Sequence, residues 1–97
     1  MTASLSTHVL NVEQGRPAKG VPVELYRGDE RVGGGMTDAD GRISALASEL
    51  DAGVYRLVFA PPSPFFRRVE LALSLEDGHY HVPLLVSSYS CATYRGS

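Results

Sequence analysis

The sequence lacks several features that would assign it to a specialised class of protein. Its 97 residues include one cysteine, Cys91, which excludes an internal disulfide and fits a reducing compartment. No apolar run approaches the roughly 20 residues that a membrane-spanning helix requires. The net charge of −2 gives no electrostatic reason to expect nucleic acid or an anionic membrane as a partner. Residues 1–12 lack the basic start and continuous apolar segment of a secretory signal, so we expect a cytoplasmic protein.

The composition is that of one small β-domain. Hydrophobic residues make up 43% of the chain, enough for one modest core, and residues 1–97 contain no linker or repeat. Ten glycines and six prolines predict many turns, and hence many short strands. The strands are predicted at 5–12, 21–27, 31–37, 42–45, 53–60, within 65–76, at 79–87 and at 89–95. Seven or eight short strands at near-regular spacing, without a long helix, predict an antiparallel β-sandwich.

Two connections are predicted from local signals alone. Residues 46–52, LASELDA, are expected to form one helical turn. The Asp77-Gly78 dipeptide is typical of a tight hairpin, so 79–87 is expected to return beside the preceding strand. On that returning strand the apolar residues alternate, and His81 lies on the opposite face. The sequence therefore predicts that His81 points away from the core.

A few polar side chains are candidates for chemistry. A histidine in a strand is more often structural than catalytic, but His8 and His81 would form an acid–base pair if the fold brought them together. Arg42 follows the turn sequence DADG and is either a solvated edge residue or a fork-shaped donor for carboxylate or urea-like oxygens. The imidazole pair of His79 and His81 supplies too few ligands for a structural zinc site, so no metal is predicted. Composition and spacing do not name a reaction.

Three sequence blocks resemble the transthyretin-related family, and specifically its 5-hydroxyisourate hydrolases. They are LSTHVLNVEQGRPAKGVPVELYR at 5–27, TDADGRI at 37–43 and HYHVPLLVSSYSCATYRGS at 79–97. The terminal YRGS distinguishes the hydrolases of this family from the hormone-carrying transthyretins. Each block alone would be weak evidence, but together they cover about half of the chain in the family's order.

The resemblance implies roles for individual residues. The family's catalytic positions correspond to His8, Arg42, His81 and Tyr94. Substrate binding is implied for His8, Arg42 and Tyr94, together with Arg95 and Ser97 of the terminal motif. The family needs no metal or organic cofactor. Its short helix is expected to be missing here, because only APPSPFF stands at 60–66.

The resemblance also implies an assembly and a reaction. The family forms a homotetramer of transthyretin-like sandwiches, with active sites at the dimer–dimer interface and no nucleic acid or membrane as a partner. The implied reaction is hydrolysis of 5-hydroxyisourate to 2-oxo-4-hydroxy-4-carboxy-5-ureidoimidazoline in urate degradation. A transthyretin-like tetramer that binds a small ligand without catalysis is the alternative. A surface-exposed adhesion or structural domain is a third possibility.

Overall fold

The structure, a computed structural model, describes residues 2–96 and places nine strands and no helix among them. The strands are β1 (Ala3–Asn11), β2 (Arg16–Pro17), β3 (Pro22–Arg27), β4 (Glu30–Met36), β5 (Arg42–Leu50), β6 (Gly53–Phe59), β7 (Val69–Leu75), β8 (Gly78–Val86) and β9 (Cys91–Thr93). The loop at 60–68 contains no helix, as expected from its sequence. None of the described residues forms a helix long and apolar enough to cross a membrane.

The strands form two sheets that face each other. In the first sheet β1 is the central strand. It pairs with β8 along one edge and with both β2 and β5 along the other, and β9 pairs with the free edge of β8. The second sheet has the order β4-β3-β6-β7. Every pairing is antiparallel except that of β1 with β8, which is parallel. The predicted β-sandwich is confirmed, with one parallel pair at the centre of the first sheet.

The core lies between the sheets and is built from alternate residues of each strand. Strand residues alternate between the two faces of a sheet, so apolar residues at every second position meet in one layer. The fully buried members include Leu5 and Val9, Val23 and Leu25, Leu57 and Phe59, and Leu84 and Val86. The apolar row predicted on 79–87 is therefore confirmed as the inward face of that strand, and the opposite face of the first sheet is left for polar residues.

The predicted hairpin at Asp77-Gly78 is wrong. Strand β7 belongs to the second sheet, whereas β8 crosses to the first sheet and pairs with β1. Gly78 has a φ of 103°, a conformation that favours glycine and allows the sharp change of direction. The dipeptide specifies a tight turn, but it does not specify whether the flanking strands pair.

The helical turn predicted at 46–52 is also wrong, because β5 continues to Leu50. Its pairing with β1 has register shifts on both sides of Leu5. Leu46 and Leu50 both reach the core, because residues four apart share a face in a strand as well as in a helix. The last strand is shorter than predicted, since β9 has only 3 residues.

Candidate active site

The outward face of the first sheet carries the candidate site. The parallel register places Ser4 beside His79, Ser6 beside His81, and His8 beside Pro83. These residues alternate with members of the hydrophobic core along β1 and β8, so their side chains lie on the face opposite the core. Segments that are more than seventy residues apart in the sequence thus present serine and histidine side chains to one surface.

Arg42 joins this surface from the other side of β1. It begins β5 and lies opposite His8 in the antiparallel register. A shallow cavity of about 220 Å³, here called the histidine cavity, is lined by Ser6, Thr7, Arg42, Ser44, His79 and His81. The structure therefore brings Arg42 and His81 into one cavity and places His8 at its border.

The turn before β5 holds Arg42 in place. The Asp38 carboxylate accepts hydrogen bonds from the backbone N–H groups of Asp40 at 2.9 Å and Arg42 at 3.0 Å. The bond from the Arg42 backbone is the main reason why the pKa of Asp38 is lowered from 3.8. Gly41 has a φ of 74°, and an added Cβ would lie 2.5 Å from the carbonyl oxygen of Val9. This close approach fixes the start of β5 against β1.

A line of hydrogen bonds connects the polar side chains of β1 and β8. Ser4 Oγ lies 2.6 Å from His79 Nδ1, and Ser6 Oγ lies 2.9 Å from His79 Nε2. The same Ser6 Oγ lies 2.8 Å from His81 Nδ1. Within residues 2–96, Nε2 of His81 has no hydrogen-bond partner, and this nitrogen is available for chemistry.

The surroundings of His81 favour its neutral form. Burial is the largest cause that lowers the pKa of His81 from its ordinary 6.5, because a charged ring is poorly solvated there. Unfavourable electrostatic interactions with His8, Arg42 and His79 lower it further. His81 is therefore a neutral imidazole at neutral pH and can accept a proton.

Ser4, Ser6 and His79 were not among the residues predicted for the site. A signal was present, because Ser6 shares a strand face with His8 and His79 shares one with His81. The hairpin prediction paired β8 with the wrong strand, so the serines of β1 could not be placed beside these histidines.

The residues of the terminal motif lie elsewhere in a single chain. Tyr94 is 57% exposed. With Thr93 and Arg95 it lines a second cavity of about 470 Å³, here called the edge cavity, which opens between β7 and β8. The guanidinium of Arg95 stacks 4.1 Å above the ring centre of Tyr80. Tyr94 does not line the histidine cavity of its own chain. Ser97 lies outside the described residues.

Gly96 does touch the site. Its N–H donates a hydrogen bond of 2.6 Å to the carbonyl oxygen of His81. A Cβ at position 96 would lie only 2.7 Å from Cδ2 of the His81 ring. The terminal segment thus packs against the imidazole at a distance that only glycine allows.

The histidine cavity is not built to hold a metal by its own ligands. Within residues 2–96 no group of three or more His, Cys, Asp or Glu side chains is arranged to bind a metal ion. The residues that line the cavity with His79 and His81 are two serines, a threonine and an arginine. These groups donate hydrogen bonds and stabilise negative charge, which suits the binding of an oxygen-rich molecule.

Comparison with known proteins finds relatives along nearly the whole chain. The family model described as HIUase/Transthyretin family matches residues 5–96. The 5-hydroxyisourate hydrolase of Caulobacter vibrioides is 40% identical over 114 residues, covering 98% of this chain and 99% of that protein. The one from Deinococcus radiodurans is 42% identical, with 96% and 95% covered.

Solved structures with the same fold include both branches of the family. The Klebsiella pneumoniae 5-hydroxyisourate hydrolase superposes with a TM-score of 0.88 at 35% identity, covering 98% of this chain and 99% of that one. Sea bream transthyretin in complex with thyroxine superposes with a TM-score of 0.83 at 28% identity, covering 96% and 94%. The sandwich is thus transthyretin-like. With a match from residue 5 to residue 96, the chain belongs to the HIUase/Transthyretin family.

Proposed function

We propose that the protein hydrolyses 5-hydroxyisourate to 2-oxo-4-hydroxy-4-carboxy-5-ureidoimidazoline, a step of urate degradation. The observation that carries the proposal is the histidine cavity, where Arg42 and His81 meet with His8 at the border. In hydrolysis of a cyclic amide a neutral imidazole can serve as the general base, and a guanidinium can stabilise the oxyanion. Relatives at 40–42% identity over nearly the whole chain are 5-hydroxyisourate hydrolases.

The proposed mechanism is general-base hydrolysis. The oxygen of a water molecule adds to a ring carbonyl carbon while Nε2 of His81 takes one of its protons. The Arg42 guanidinium stabilises the oxyanion that forms, and His8 orients the water or the substrate. The C–N bond of the ring then breaks, and the proton passes to the leaving nitrogen. The reaction uses only water and the side chains of this chain.

The proposed active form is a homotetramer with its sites at the dimer–dimer interface. The histidine cavity is open to solvent in a single chain, and a second subunit placed over it would exclude water from the reaction. Tyr94 and Arg95 lie outside this cavity in their own chain. We assign them to substrate binding in the assembled protein, where a neighbouring subunit can complete the site.

The test is the decay of the ultraviolet absorbance of freshly prepared 5-hydroxyisourate. The wild-type protein is expected to accelerate the decay, and His81→Ala is expected to reduce kcat by ~10²–10⁴-fold, the usual contribution of a positioned general base. Val54→Ala, on the outward face of the second sheet, serves as the control for a substitution remote from the site. Near wild-type turnover by His81→Ala would exclude His81 as the base.

The competing function is that of a small-ligand carrier, as the likeness to a transthyretin in complex with thyroxine suggests. A carrier has no use for a neutral histidine beside an arginine in a polar cavity. The same assay distinguishes the two functions. If the wild-type protein binds 5-hydroxyisourate or a stable analogue without accelerating its decay, the carrier function is correct.

A further inference from the structure

Four side chains, in the order Ser4, His79, Ser6 and His81, form a continuous line of hydrogen bonds. Of these four, the mechanism proposed above uses only His81. Ser6 occupies its centre, with Oγ 2.9 Å from His79 Nε2 and 2.8 Å from His81 Nδ1. A serine hydroxyl has one proton and two lone pairs. It therefore donates to one of these nitrogens and accepts an N–H from the other.

The single proton of Ser6 couples the tautomers of the two histidines. If Ser6 donates to His81 Nδ1, the proton of neutral His81 lies on Nε2, which then cannot accept another. If Ser6 donates to His79 Nε2, His81 carries its proton on Nδ1 and its Nε2 is bare. In this second arrangement His79 carries its own proton on Nδ1 and donates it to Ser4 Oγ at 2.6 Å.

Two features of the site favour the second arrangement. Nδ1 of His81 is already hydrogen-bonded to Ser6, so Nε2 is the ring nitrogen that is left for the cavity. Arg42, a cation, lines the same cavity. Its charge interacts more favourably with a bare lone pair on Nε2 than with an N–H there. The second arrangement also suits the protonated ring. An imidazolium has N–H groups on both nitrogens, and Ser6 already accepts from Nδ1, so no hydroxyl group has to turn when Nε2 takes a proton.

We propose that His79 is a positioning residue: acting through Ser6, it holds His81 in the tautomer with its proton on Nδ1, leaving Nε2 as the proton acceptor. His79 is exposed on the sheet surface and does not need to touch substrate for this role. Ser4 anchors the outer end of the line by accepting from His79 Nδ1. The catalytic consequence rests on the hydrolysis proposed above, whereas the tautomer can be measured without any substrate.

The experiment is nitrogen NMR of the full-length protein labelled with ¹⁵N-histidine. The chain has 3 histidines, so the imidazole signals can be assigned with His8→Gln and His79→Gln. In the wild-type protein, neutral His81 is expected to show a protonated Nδ1 and a bare Nε2. Ser6→Ala and His79→Leu are expected to move His81 toward the Nε2-protonated form that free imidazole side chains prefer.

Matched variants separate positioning from a general structural effect. His79→Gln retains a carbonyl acceptor for Ser6 and should restore much of the wild-type signal. Ser48→Ala, an exposed serine of β5 outside the line, should leave it unchanged. In turnover, Ser6→Ala and His79→Leu should lower kcat by ~10–100-fold with little change in KM, as for partners that orient metal-bound histidines.

The outcomes distinguish this inference from the proposed function. A proton on Nε2 of wild-type His81, or a His81 spectrum that is unchanged in Ser6→Ala, overturns the positioning role even if the enzyme is active. A wild-type protein with the expected tautomer that does not hydrolyse 5-hydroxyisourate overturns the function and leaves the positioning role intact.

Discussion

At the scale of single residues, the protonation of His81 connects the structure to a measurable rate. Its pKa is lowered below 6.5 by burial and then by unfavourable electrostatic interactions with His8, Arg42 and His79. A general base works only when it is unprotonated, so activity should be lost as the pH falls through this lowered pKa. Hydrolysis should therefore stay near its maximum down to a pH below the ordinary range of histidine.

The measurement is kcat/KM of the wild-type protein between about pH 5 and pH 8, the range in which histidine titrates. The spontaneous decay of the substrate is subtracted at each pH. We expect an acid limb whose midpoint lies below 6.5, the ordinary pKa of histidine. A midpoint above that value would contradict the assignment of His81, because none of the causes that act on it in this structure raises its pKa.

Gly96 gives a second prediction at this scale. An added Cβ would come within 2.7 Å of Cδ2 of His81, and the carbonyl oxygen of the same histidine holds the backbone of Gly96. Gly96→Ala must therefore displace either the ring or the terminal segment. We expect kcat to fall by at least ~10-fold, since a catalytic group moved by an ångström loses much of its effect.

Thermal unfolding serves as the control for Gly96→Ala. The residue lies at the end of the described chain and outside the core, so the melting temperature should change little. Full activity with an unchanged melting temperature would mean that the terminal segment does not constrain His81.

At the scale of strands and turns, the sequence predicted which side chains point into the core better than it predicted which strands pair with each other. Alternation identified the inward row of β8, because burial in one layer imposes a period of two. The partner of β8 depends on the whole topology, and the Asp77-Gly78 signal misled because the chain crosses between sheets there. The site followed the same division. Residue types alone made His8, Arg42 and His81 candidates and the family motif implied their roles, whereas Ser6 and His79 required the parallel pairing.

The turn before β5 carries a prediction about Arg42. The Asp38 carboxylate accepts the N–H groups of Asp40 and Arg42, and it thereby fixes the direction in which Arg42 leaves the turn. Asp38→Ala removes this acceptor and should raise KM several-fold with a smaller effect on kcat, because substrate would be held less well. Asp38→Asn retains a side-chain oxygen and should remain close to wild type.

Steady-state kinetics of both Asp38 variants check this prediction. Equal KM values for Asp38→Ala and the wild-type protein would mean that β1 alone, through the pairing of His8 with Arg42, positions the arginine.

At the scale of the whole molecule, the two sheets end side by side. Strand β7 is the last strand of the second sheet, and β9 is the last strand of the first. The edge cavity opens near them and is lined largely by apolar side chains, including Leu71, Leu73 and Val82. An uncovered sheet edge with apolar side chains beside it readily pairs with another chain. This side of the molecule is therefore the expected contact between subunits.

The prediction concerns assembly and activity together. Light scattering of the wild-type protein should give about four times the chain mass of 10.4 kDa. Leu73→Asp places a charge in the edge cavity, where a subunit contact would bury it without a partner, and it should lower the mass and the turnover together. Val54→Asp introduces the same charge on the outward face of the same sheet, where Val54 is 64% exposed, and should alter neither. Circular dichroism of both variants verifies that the sandwich remains folded.

A folded Leu73→Asp protein that keeps the wild-type mass would place the subunit contact elsewhere on the molecule. A folded variant that loses mass but keeps full turnover would mean that one subunit alone contains the complete active site.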